Sequence, residues 1–212
     1  MTRFSENTIL SHIFCALLIG LLCSIMAMVY SDSVQADLAD NLVRLHIIAN
    51  SDSDADQAVK LAVRDRIIEE EKQNFAAASE KEDCREQIKN NLSHFEEIAN
   101  EVLKEKGFSY KAHAEYGVFD FPMKRYEGMV LPAGGYEGMR LVLGSGSGQN
   151  WWCVMFPPLC FTEGSTGGLD AEGEQQLKDS LEGESYDVIT GQEIVVKFKV
   201  VEVVQELKQK FE

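Results

Sequence analysis

Residues 150–161 read Asn-Trp-Trp-Cys-Val-Met-Phe-Pro-Pro-Leu-Cys-Phe, a stretch that holds both tryptophans, two of the five cysteines and two of the four prolines of the chain. Any fold must find a place for these side chains. Trp and Phe carry large areas to bury, so the stretch either anchors a core as a strand stopped by Pro157-Pro158 or presents aromatic groups as a contact surface. Strand parity puts Trp152, Val154 and Phe156 on one side and Trp151, Cys153 and Met155 on the other. The expectation is that the first set faces the core and the second faces outward.

The amino terminus sets the compartment. Arg3 precedes an apolar run over residues 13–29, followed by Ser31-Asp32-Ser33 and by Val34-Gln35-Ala36, which has small residues where a signal peptidase needs them. Residues 1–36 therefore read as an export signal, or as a retained membrane anchor formed by residues 13–29. Residues 37–212 are long enough for a single domain with one substantial core. The formal net charge of −15 excludes nucleic acid as a partner and leaves the membrane to the N-terminal segment alone. Outside the cytoplasm, Cys153 and Cys160 are the natural disulfide pair, leaving Cys84 over. Their separation spans roughly 23 Å if extended, so a bridge needs the chain to bend back at Pro157-Pro158. Two buried free thiols are the alternative.

Along the chain, residues 42–49 (Leu-Val-Arg-Leu-His-Ile-Ile-Ala) form an interior strand. Ser53-Asp54-Ala55-Asp56 caps a helix from Asp54 to about Asn74 with Val59, Val63 and Ile67 inward. Asp52, Asp54 and Asp56 imitate a calcium loop, but Gln57 stands where the turn needs Gly and Val63 where a Glu ligand belongs, so no metal is expected. A second cap at Ser79 opens one long helix with Ile88, Leu92, Phe95, Ala99 and Val102 inward, ended by Gly107. Cys84 falls in its first turn, exposed. Residues 108–116 alternate as a half-buried strand, with a bulge at Gly117. Strands over 126–131 and 136–143 follow, and Gly144 to Gly148 reads as a mobile hairpin connection into the tryptophan stretch. Residues 162–187 read as an acidic loop or flexible segment with one helical turn near Glu174 to Leu181. A strand over 194–198 and a helix with Val200, Val204, Leu207 and Phe211 inward complete an α+β fold, a mainly antiparallel sheet with helices on one face.

Three segments carry a resemblance: LVRLHIIANSDSDADQAVKLAVRD (42–65), LPAGGYEGMRLVL (131–143) and GQNWWCVMFPPLCF (148–161). They resemble the stage II sporulation protein R family of spore-forming Firmicutes. The resemblance implies an exported signal that passes from the forespore into the space between the septal membranes. There it would activate a membrane-embedded aspartic protease that cleaves the sigma-E precursor. It implies no enzymatic activity and no cofactor. The residues expected to touch that protease are Trp151, Trp152, Met155, Phe156, Pro157 and Pro158, with Trp151 ahead of Trp152, held by a Cys153–Cys160 bridge.

Two other classes compete. A wall- or glycan-binding module would use the tryptophans as stacking platforms. A secreted thiol enzyme would need Cys153 as nucleophile beside His113 or His46 as base.

Overall fold

The computed structural model describes residues 3–76, 78, 80–126, 128–161 and 171–191. A long helix, α1 (Arg3–Asn41), leads into strand β1 (Val43–Ile48). Helices α2 (Asp54–Ala76), α3 (Lys81–Asn90) and α4 (Leu92–Glu105) follow, then strand β2 (Ala112–Phe121). A small hairpin of β3 (Lys124–Tyr126) and β4 (Met129–Leu131) precedes β5 (Gly134–Leu143) and β6 (Asn150–Phe156). A 3₁₀ turn over Leu159–Phe161 and helices α5 (Ala171–Ser180) and α6 (Gly183–Thr190) complete the order.

The main sheet has the order β2-β5-β1-β6. β1 runs parallel to β5 and antiparallel to β6, and β2 runs antiparallel to β5. The class is the α+β arrangement expected, with one parallel pairing inside it. β1 is buried on both faces because its alternate side chains meet two separate cores. Val43, Leu45 and Ile47 join Val59, Val63, Ile67, Phe95 and Val102 from α2 and α4. On the opposite face, Leu38 and Leu42 at the end of α1 pack with Tyr136, Val154, Leu177, Tyr186 and Ile189. Three helices thus cover one face, as expected, and α1, α5, α6 and the β3–β4 hairpin cover much of the other.

Local chemistry explains the helix ends. The Ser53 hydroxyl accepts from Asp56 N, capping α2. The Asp56 carboxylate turns away to Ser51, Tyr110 and Asn50, whose donors, Ser51 first, hold its pKa down to about 2. Asp52 accepts from Gln149 N instead, so the aspartates of this turn brace loops and do not converge. The single helix expected from Ser79 to Gly107 is two. Asn91 takes φ −118° and its side chain donates to Gln87 O, a local bond that competes with helix continuation. The cap at α3 is Glu80, whose carboxylate accepts from N3 while Asp83 accepts from Glu80 N; Ser79 lies outside the described residues. Gly107, at φ +83°, ends α4 while Phe108 N donates to Leu103 O.

Further expectations are corrected. Cys84 is fully buried, and burial pushes its thiol up to about 12. The strand after α4 begins at Ala112, and its pairing with β5 runs through Gly117↔Gly138 without a bulge. β5 and β6 are not a hairpin, because β1 lies between them. Their glycine-rich connection is pinned across the end of β1: Ser145 N donates to Asn50 Oδ1 and Gly148 N to Ala49 O. Residues 171–190 form two helices rather than a loop with one turn, because Leu177, Leu181, Tyr186 and Ile189 have a face to bury against. The strand and helix expected after residue 193 lie outside the described residues.

The β1–β5 pairing leaves no room at Gly138, where an added Cβ would come within 2.4 Å of Arg44 O, whereas at Gly183 it would meet nothing within 4 Å. Gly138→Ala should lower stability by about 1–3 kcal/mol, and Gly183→Ala should be neutral or raise it by up to about 1 kcal/mol. Urea unfolding of the two variants checks this.

Candidate functional site

The three sequence segments that carry the family resemblance contain β1, β5 and β6, which are adjacent strands. On the face that bears α1, alternate positions of these strands supply Arg44 and His46, Tyr136 and Arg140, and Trp152 and Val154. Phe119 and Phe121 of β2 complete the set. α1, α5 and α6 cover one end of this face, around Tyr136 and Val154. The other end, with Trp152, Phe119 and Arg140 half-buried, is only partly covered.

This end is aromatic and cationic. The His46 ring stacks on Trp152 with centroids 3.6 Å apart and planes at 18°, and Phe121 meets Trp152 edge-on at 4.9 Å. Lys124 Nζ lies 5.7 Å over the Trp152 ring, and Arg140 Cζ 4.3 Å over Phe119. Arg140 also pairs with Glu115 at 2.6 Å. His46 Nε2 shares a hydrogen bond with Asn150 Oδ1 at 2.9 Å. Burial drives the His46 pKa from 6.5 to about 4; the Asn150 bond opposes that, and Arg140, Arg44 and Lys124 reinforce it. The imidazole is therefore neutral at physiological pH.

Behind this surface Arg44 is wholly buried. Its guanidinium lies 4.3 Å from the Phe121 ring centre and 5.0 Å from that of Tyr136, and Nη2 donates to Tyr126 Oη at 3.0 Å. Among the described residues Nε and Nη1 have no hydrogen-bond partner. A buried cation without a carboxylate is expensive to keep. The sequence alone does not single out Arg44, Lys124 or Arg140, and offers His46 only as a base for Cys153. The signal was present as Arg and His at alternate positions of an otherwise apolar strand.

The expected contact residues divide. Trp151 is half-buried against the α2–α4 core with Arg64 Cζ 5.4 Å over its ring, and Trp152 is half-buried on the cationic face. Pro158 is half-buried, while Met155, Phe156 and Pro157 are interior. The outward assignment of Cys153 and Met155 is corrected: both faces of β6 are packed, and alternation sends residues to one of two cores up to Met155, after which a register shift against β1 puts Phe156 in the same core as Cys153 and Met155. Cys153 and Cys160 form the expected disulfide, with Cα atoms 5.8 Å apart, across a bend that contains a cis Phe156–Pro157 peptide.

The thiol-enzyme arrangement is not assembled. Cys153 pairs with Leu45 on one face, whereas His46 projects from the other. His113 sits on β2 at the opposite edge, three strand spacings or roughly 14 Å away, bonded to Glu96.

Fold and face together define an α+β domain headed by a helix long and apolar enough to cross a membrane, and stapled by a disulfide at its aromatic strand. A family model described as stage II sporulation protein R matches residues 39–166. The chain is 36% identical over 159 residues to the stage II sporulation protein R of Bacillus subtilis (strain 168), an alignment covering 75% of this chain and 70% of that protein. The chain belongs to the stage II sporulation protein R family. No solved structure matches it.

Two measurements follow from this geometry. On acidification the unfolded chain protonates His46 first, near 6.5, so stability should fall between about pH 6.5 and 4 and level off below. In His46→Phe, which keeps a ring against Trp152, that part of the pH slope should vanish from the urea midpoints. Replacing Cys153 and Cys160 together by Ala should cost about 2 kcal/mol through the lost loop closure, read as a lowered urea midpoint in oxidising buffer.

Proposed function

We propose that this sporulation protein is exported across the cytoplasmic membrane and acts by contact, activating a membrane-embedded aspartic protease that processes the sigma-E precursor. The observation that carries the reading is membership of the stage II sporulation protein R family, whose resemblance implies that signal. Two features support it. The apolar stretch of α1 is exposed from Ile9 to Tyr30 except at Met26, which is half-buried, as suits a segment handled by an export machinery or a bilayer. The Cys153–Cys160 bridge suits an oxidising compartment.

The contact surface is the aromatic and cationic face, with Trp152 rather than Trp151 at its centre. A stacked, half-exposed tryptophan beside Lys124 and Arg140 offers both anchoring area and charge. Trp151 leans into the core side of the sheet.

Co-expression of this chain with the protease and the sigma precursor in a non-sporulating host tests the reading. Precursor cleavage should appear with the full chain and be absent when residues 1–36 are deleted so that the domain stays in the cytosol. Cleavage without export would falsify it. Trp152→Ala should reduce cleavage more than Trp151→Ala at equal protein level.

A further inference from the structure

The export reading places a cut after Ala36, and the structure shows what such a cut would remove. Val34 is only 7% exposed and belongs to the second core. Gln35 Oε1 accepts from the Tyr136 hydroxyl at 3.3 Å, and its Nε2 has no partner among the described residues. The fit over β5 is close: a Cβ on Gly134 would lie 2.2 Å from Gln35 Nε2. Gln35 therefore lies on Tyr136, Val34 shares its core, and Tyr136 is one wall of the Arg44 chamber.

The bonds that hold the end of α1 to the domain come from the other side of Ala36. Asp37 Oδ2 accepts from Glu182 N, Ala39 O accepts from Lys81 Nζ, and Leu38 and Leu42 are fully buried. A cut after Ala36 thus separates a cover from its fastening. The fastening stays.

On the other side of Tyr136 lies a cation that, among the described residues, has no carboxylate against it. Among the described residues Arg44 Nε and Nη1 are buried and unpartnered, its aromatic walls supply apolar contact, and Lys124 continues the positive charge to the open end of the face, where Arg140 is paired with Glu115. A carboxylate is the group a guanidinium takes best, and in a chain of net charge −15 Arg44 and Lys124 share one face.

We propose that Arg44 is the centre of a carboxylate-binding site for an acidic polypeptide segment, closed by Val34 and Gln35 in the uncut chain and opened when residues 1–36 are removed. The proposal rests on the export reading. It makes processing of the N-terminal segment a step that arms the recognition face, and not only one that releases the protein.

The test compares the chain purified from an exporting host with an Ala36→Leu variant, in which the larger side chain blocks the signal peptidase at an exposed helix position. Mass spectrometry reads the N-terminus and the phenylglyoxal adduct on Arg44; fluorescence anisotropy reads binding of a labelled peptide alternating Glu and Leu, with a Gln–Leu peptide as control. The cut chain should begin at Asp37, react at Arg44, and bind the acidic peptide about tenfold or more tighter than Ala36→Leu. Arg44→Met should abolish that difference while keeping the fold, since an apolar side chain replaces an uncompensated charge. In the uncut background, Gln35→Gly should give partial labelling of Arg44. A cut chain whose Arg44 is as protected as in Ala36→Leu, or equal peptide binding by the two forms, overturns the proposal. A chain exported without being cut overturns its trigger. Precursor cleavage in the co-expression assay is read separately, so failure there strikes the protease reading and not this site.

Discussion

The central constraint on this molecule is that β1 has no solvent side. It is flanked by β5 in parallel and β6 in antiparallel register, and each of its faces meets a different core. Leu45 and Ile47 answer one core with plain apolar burial. Arg44 and His46 answer the other with groups that cost free energy to bury. Much of what sets the second face apart, the stacked imidazole, the cation between two rings and the aromatic edge of Trp152, follows from that alternation along six residues.

The legible parts of the sequence were those where local chemistry and burial agree. β1, the Val59–Val63–Ile67 stripe, the Ser53 cap, the Gly107 stop and the Cys153–Cys160 bend each rest on a few neighbouring residues. The tryptophan stretch was legible as a strand but not as an interior one. Alternation by itself implies core against solvent, which sends Met155 and Cys153 outward. Only the covering of both sheet faces, which is a tertiary fact, makes both parities apolar. The β5–β6 connection failed for the same reason. A glycine-rich link between two strands reads as a hairpin unless a strand from a hundred residues earlier is known to lie between them.

Cys84 and residues 171–190 show the opposite error, in which polar surroundings in sequence concealed apolar partners in space. Lys81 to Arg85 is almost wholly charged, yet Cys84 points into the α2–α4 core while its neighbours ring Glu137. Burial alone would raise the Glu137 pKa, but Arg85, Tyr116 and Lys81 outweigh it and hold the carboxylate down to about 2, so the outer side of α3 is fixed to β5 by charge. In α5 and α6 a few large side chains among many acids are enough, because the face they meet is already apolar. A composition count cannot see a waiting surface.

The candidate site was half legible. Trp152 and the bridge could be found from residue type; the cations around them could not, since Lys124 and Arg140 come from separate elements and Arg44 from a strand that reads as core. A buried guanidinium with two nitrogens unpartnered among the described residues is tolerable only if the alternatives cost more or if a partner arrives later. An apolar residue of similar length at position 44 would relieve the burial cost but give up the contacts to the Phe121 and Tyr136 rings and the bond to Tyr126 Oη. α1 supplies the other half of the argument. The helix runs without a break from the exposed apolar stretch, long enough to cross a membrane, into the second core beside Tyr136, so the two are one element. A cut after Ala36 falls inside this one helix, so it would take Val34 from the second core and Gln35 from Tyr136, and leave Leu38 in that core.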